Sequence, residues 1–116
     1  YYIRDANYSF YTATSPDAAE SILRTGLDPN FGGKRDPKTI TAWNSRGYVY
    51  FSMGDSTAKG YGKNVIAPKH GSYTLLRFKL PVGHPVTLDP ELGSNSSALR
   101  TNVLIPAHYI EQAQGI

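Results

Sequence analysis

Three short runs constrain this chain most: residues 8–14 ("YSFYTAT"), 48–52 ("YVYFS") and 72–80 ("SYTLLRFKL"). Each is rich in aromatic or β-branched residues, alternates or packs its apolar positions over strand-like lengths, and is bounded by turn or helix-starting residues. A chain with three such runs is built around a sheet. Between the first and second lies the clearest helix signal. Ser15 is a good N-cap, Pro16 suits the first helical position, Asp17 favours the positive end, and Gly26 supplies a left-handed stop. Ala18, Ala19, Ile22 and Leu23 form its apolar face.

Residues 28–47 hold Gly, Pro, Asn and charges without periodicity and read as a long surface loop, a kind that is often functional. Asp55 or Ser56 caps a short helix running to about Tyr61, and residues 62–71 read as loop. Pro81 closes the third strand, residues 85–88 are short and extended, and "DPELGSNSS" is turn and loop. "ALRTNVLIP" and "YIEQA" supply one or two closing strands. With no internal repeat or low-complexity segment, the expectation is one α+β domain over residues 1–116.

Composition narrows the function classes. Hydrophobic residues make up 40% and charged residues 18%, too apolar and too weakly charged for a disordered chain. The net charge of +3 comes from twelve thinly spread Lys and Arg with no basic run longer than Lys34 and Arg35, which reads first as a solvated surface. Cysteine is absent, so disulfides, zinc-thiolate sites and a thiol nucleophile are excluded. His70, His84 and His108 lack metal-ligand spacing, so no metal site is expected; His84 falls in a turn and His108 on the surface. "GKRDPK" and "GKNVIAPK" lack the glycine pattern and strand-to-helix setting of a phosphate loop. No stretch reaches the roughly 18 apolar residues of a membrane span, and no signal-peptide pattern opens the sequence, so export would depend on something outside it.

Nine tyrosines offer stacking surfaces, and two are placed to use them. Tyr50 and Tyr61 have ten residues between them in "YFSMGDSTAKGY", one on a strand and the other at the end of the next short helix. Two rings facing across one ring thickness admit a third flat ring, and the cationic pyridinium of nicotinamide suits such a sandwich. The competing reading packs both tyrosines in the core. Ser52, on the same strand face as Tyr50, either meets a ribose or merely ends the strand.

This stretch resembles the second motif of the diphtheria-toxin-like and PARP-like branch of ADP-ribosyltransferases: a tyrosine, ten residues and another tyrosine, often ending "AxGY" as "AKGY" does here. "FYTATSPDAAESILRTGLDP" is similar to that branch's first motif, an aromatic-His-Gly-Thr strand entering a helix. "SSALRTNVLIPAHYIE" is similar to the last motif of toxin members, a glutamate before a strand and an "IPPEYI"-like ending. The resemblance spans Phe10 to Glu111.

The resemblance implies a compact fold of two small, mainly antiparallel sheets around an NAD cleft, with one or two short helices. It implies NAD as substrate, held by Tyr11, Thr12, Ala13, Tyr50, Ser52 and Tyr61. Tyr50, Tyr61 and position 98 belong to the catalytic set. Two departures stand out. Thr12 occupies the usual histidine position and offers a hydroxyl instead of an imidazole. Ala98 stands where the family has its glutamate, and no acid lies between Glu91 and Glu111. That carboxylate stabilises the oxocarbenium-like charge as the ribosyl to nicotinamide bond breaks. Three explanations stay open: an inactivating Glu to Ala change in the expressed chain, Glu91 reaching in from its loop, or binding without chemistry. Arg35, Lys34 and Arg46 are candidates for the pyrophosphate.

The expected function is thus an ADP-ribosyltransferase effector, the C-terminal domain of a larger secreted Rhs-type polymorphic toxin in interbacterial competition. It would act in the target-cell cytoplasm on a protein such as a translation factor, or on RNA. A dedicated immunity protein, no membrane and a monomeric state complete that picture. NAD glycohydrolase activity and non-catalytic NAD or ADP-ribose binding are the alternatives. RNA binding through the aromatic strands is disfavoured, since Tyr48 and Tyr50 lack interleaved basic residues.

Overall fold

Alternation along the first run decides the architecture. In the computed structural model, which describes residues 1–29, 48–88 and 98–113, this run forms β1, Ser9–Thr14. Phe10 enters the main core, whereas Tyr11 and Ala13 join a smaller apolar cluster on the opposite face. β1 leads into α1, Pro16–Thr25, and Ser15 caps it by accepting the Ala18 amide at 3.2 Å. Ala19 is buried in the main core, with Ile22 and Leu23 packed against it.

Gly26 ends α1, but not as a left-handed cap. Its φ of 93° comes with ψ of 175°, an extended conformation open to glycine, and its amide bonds the Ile22 carbonyl. The reason is close approach: a Cβ there would lie 2.5 Å from the Ile105 carbonyl oxygen. Leu27 and Ile105 exchange backbone bonds of 2.9 and 3.0 Å, pinning the end of α1 to the residues beyond the fifth strand.

The second run forms β2, Val49–Ser52, followed by α2, Asp55–Tyr61. Gly54, not Asp55 or Ser56, takes the N-cap position. The expected loop over residues 62–71 is instead a continuing helix: a π-helical turn, Gly62–Ile66, then α3, Ala67–His70. Gly62 is in the right-handed helical region, so its role is close packing, and a Cβ there would collide with the Tyr73 ring. The wide turn, whose closing Ala67 amide bonds the Gly62 carbonyl, accommodates Pro68 early in α3.

β3, Thr74–Lys79, contributes Leu75 to one face and Leu76 and Phe78 to the other. Two residues, Thr87–Leu88, form β4; Ala98–Thr101 form β5; and Ile110–Gln112 form β6 after a 3-10 turn, Ala107–Tyr109. Phe10, Phe51 and Phe78 meet in the core with centroids 5.2 to 6.0 Å apart, two of the three contacts edge-on. Each such contact is worth about 1 kcal/mol beyond the area buried.

The two separate sheets expected from the resemblance are not what forms. The six strands of the described residues make one antiparallel sheet in the order β4-β5-β2-β1-β3-β6. The two closing strands lie far apart in it, β5 beside β2 and β6 at the far edge beside β3. The join at the centre is thin. β1 pairs with β3 at six positions, from Ser9 opposite Lys79 to Thr14 opposite Thr74, and β2 pairs with β5 at four. Between β1 and β2 the ladder holds one position, Tyr11 opposite Ser52. The single sheet is two three-stranded halves meeting at a splayed seam.

Candidate functional site

Past Tyr11 and Ser52 the splay opens a cleft of about 290 Å³. Thr12, Ala13 and Thr14 of β1 form one wall, and Val49 and Tyr50 of β2, with Tyr48 just before it, form the other. Residues 18–28 close the back through Ile22, Thr25 and Asp28 among others. One side-chain bond spans the gap: the Thr12 hydroxyl donates to the Tyr50 carbonyl at 2.9 Å. That commits the hydroxyl proton, leaving Thr12 able only to accept from a ligand.

The sequence-nominated residues divide by position along the strands, with those past the Tyr11 and Ser52 pair lining the cleft. Thr12, Ala13 and Tyr50 are brought together in the cleft. Tyr11 and Ser52 are not among its lining. The Tyr11 ring packs with Ala13, Leu75 and Ala58 of α2 and stands opposite Arg77, whose guanidinium pairs with Glu111 at 2.7 Å. The Glu111 carboxylate, then Tyr11, hold that guanidinium protonated. Ser52 is 2% exposed and donates to the Gly54 carbonyl at 2.6 Å. It fastens the end of β2 to the start of α2.

Tyr61 ends α2 and is 38% exposed, outside the lining of the cleft. Tyr50 and α2 nevertheless share one side of the sheet. Val49 and Phe51 enter the main core, so Tyr50 and Ser52 face away from it, and Ser52 is paired with Tyr11, which packs against α2. Ala98 begins β5 opposite Ser52, so positions 98, 52, 11 and 77 form one cross-strand row. Arg35, Lys34, Arg46 and Glu91 lie outside the described residues.

Tyr48 is the cleft residue that sequence reasoning passed over. Its ring centroid is 6.5 Å from that of Tyr50, and the Arg100 guanidinium lies 3.8 Å over its face. The two-residue alternation linking Tyr48, Tyr50 and Ser52 carried that signal. The residues drawn from α1 had no comparable one, because only the chain's return brings that helix beside β2.

His84 lies in its expected turn, which its amide closes on the Pro81 carbonyl at 3.1 Å, and it is buried, 6% exposed, with Nε2 3.2 Å from the Thr101 hydroxyl. That hydroxyl donates to the Pro85 carbonyl at 2.7 Å and accepts the Val103 amide, so His84 Nε2 is the donor towards it. Burial pushes the imidazole below its ordinary value, and a Val103 backbone bond opposes this more weakly. On the surface, Lys59 lies 3.0 Å from Asp55; through hydrogen bond and charge the pair lowers the carboxyl and raises the amine.

Among the described residues no three His, Asp or Glu side chains gather to hold a metal ion, and no helix is long and apolar enough to cross a membrane. Comparison with protein-family models and with curated proteins finds no match to this chain.

Proposed function

We propose that the domain binds NAD in the seam between β1 and β2, as an ADP-ribosyltransferase effector of the diphtheria-toxin-like and PARP-like kind. The observation that carries this reading is the splay itself, with Thr12, Ala13 and Tyr50 on its two walls. A strand edge released from its ladder offers amide donors and carbonyl acceptors side by side, and the primary amide of nicotinamide carries the complementary pair. The cleft volume is near the lower end for small-molecule sites, enough for the nicotinamide end of a dinucleotide. Tyr50 supplies one aromatic wall, and Tyr61, on the same side of the sheet, supplies the second on closure around the ring.

Cleavage separates nicotinamide from the ribose and leaves positive charge on the sugar, which needs a carboxylate beside it. Position 98 shares a cross-strand row with Ser52, next to the Tyr50 wall. With alanine there, the chain holds NAD without turning it over efficiently. The acceptor is a protein or RNA of the target cell, the domain is delivered as part of a larger secreted precursor, and an immunity protein covers the cleft in the producing cell.

Ala98→Glu is the decisive variant. With adenylate-labelled NAD it should gain at least about 100-fold in nicotinamide release, the scale on which one well-placed stabilising group acts. Label on a macromolecule means transfer; free ADP-ribose alone means the glycohydrolase alternative; binding without turnover means the non-catalytic module. Absence of NAD binding by calorimetry in both proteins sinks the reading.

A further inference from the structure

Among the described residues, the helices on the two faces of the sheet differ in their balance of charge. Residues 56–88 contain no aspartate or glutamate but carry Lys59, Lys63, Lys69, Arg77 and Lys79. On and just after α1, by contrast, Asp17, Glu20 and Asp28 outnumber Arg24. The fold sends the two groups to opposite sides. Ala19 of α1 packs with Phe10, Leu76 and Phe78, whereas Ala58 of α2 packs with Ala13 and Leu75, which point the other way from the same strands. Arg77 and Lys79 alternate with Leu76 and Phe78, so they stand on the side of α2. Within α2, the π-helical turn, α3, β3 and β6, the acids are Asp55 and Glu111, held by Lys59 and Arg77. Lys63, Lys69, His70 and Lys79 are all solvent-exposed.

We infer that this face binds the phosphodiester backbone of a nucleic-acid strand. Cations spread over a helical segment and a neighbouring strand suit a repeating anion better than one small phosphate. A protein partner of defined register is usually met by charges of both signs, while a uniform run of phosphates asks only for positive potential. A membrane surface would call for a broad apolar stripe on the exposed helical segment, where residues 55–70 offer Tyr61 and Val65 as the exposed large hydrophobics. The surface differs from the aromatic strands, whose lack of basic residues argued against RNA binding there. It requires no NAD chemistry, so it stands or falls apart from the proposed activity.

The test is fluorescence anisotropy on the 116-residue chain, without NAD, using labelled single strands of about 20 nucleotides, RNA and DNA of one sequence. Three lysine contacts predict a salt slope near −2 and a roughly 20-fold loss of affinity between about 50 and 200 mM salt. The triple variant Lys63→Glu, Lys69→Glu, Lys79→Glu should lose binding at least about tenfold, and Arg24→Glu on the opposite face should not. A thermal melt checks that the triple variant folds; if it does not, Lys63→Gln must weaken binding and flatten the salt slope. Absence of binding at the lower salt, equal binding by the triple variant, or preference for a poly-glutamate peptide or anionic vesicles over the oligonucleotides overturns the inference. Equal affinity for RNA and DNA supports it, since both present the same backbone charge.

Discussion

The two edges of β1 have opposite fates. Towards β3 the strand is paired at six consecutive positions; towards β2 it is paired at one and then parts to form the cleft. The closed edge is backed by Leu75, Leu76 and Phe78, each at most 1% exposed. The open edge is spanned by the Thr12 hydroxyl bond to Tyr50. One strand is thus scaffold on one side and, in the proposed reading, binding edge on the other. Backbone groups become available to a ligand where a ladder stops, and they keep their positions because the same residues are fixed from behind.

The strongest way to break this contrast is Leu76→Ala on the closed edge. Removing a side chain with no exposure should cost about 2 to 5 kcal/mol in urea unfolding. A loss below about 1 kcal/mol would mean that the scaffold lies elsewhere. On the ligand side, Tyr61→Ala should weaken NAD binding by about 1 to 3 kcal/mol in calorimetry, by analogy with base stacking on aromatic side chains. Its half-exposed position predicts little change in melting temperature. Unchanged NAD affinity would remove Tyr61 from the site.

Smaller still, Thr12→Val keeps the shape of the seam and deletes its clasp, for an expected loss near 1 kcal/mol of stability. Hydrogen exchange should show the β2 side of the seam loosening while the β1 and β3 ladder stays protected, and uniform loosening would contradict the division.

The last prediction concerns the half beyond β2. His84 titrates lower in the fold than in the unfolded chain, where its ordinary value is 6.5. Its contribution is therefore fully present above about pH 6.5 and declines as pH falls through the folded value, because the unfolded chain takes up the proton first. His84→Gln should flatten the melting temperature between about pH 7 and pH 5 relative to the parent chain. If both proteins lose stability equally over that range, other groups carry the acid sensitivity.

Much of the local structure was legible because its causes are local. The Ser15 cap, Pro16 and the alternation of β1 and β3 act within a few residues, and they gave α1 and those strands correctly. Gly62 and Pro68 misled for the opposite reason. Glycine near a helix end suggests a stop, yet Gly62 serves a contact with Tyr73, eleven positions on, and the π-helical turn absorbs the proline. His84 is the turn residue that Gly83 and Pro85 suggest, but its contact with Thr101 comes from packing. At the cleft, Thr12, Ala13 and Tyr50 were nominated from the sequence and Tyr48 was legible through its alternation with Tyr50, whereas the wall from α1 came from packing.

By itself, then, the chain's order of residues determined the first helix and the main strands, which face of each is apolar, and that no thiol chemistry is available. Tertiary structure decided that the six strands of the described residues share one sheet, that its central pair barely joins, and that the acid-rich α1 and the lysine-bearing helical segment lie on opposite faces. The first set follows from interactions a few residues long, which a sequence displays directly. The second follows from which distant strands meet and where their ladders end, set by competition among contacts across the whole core.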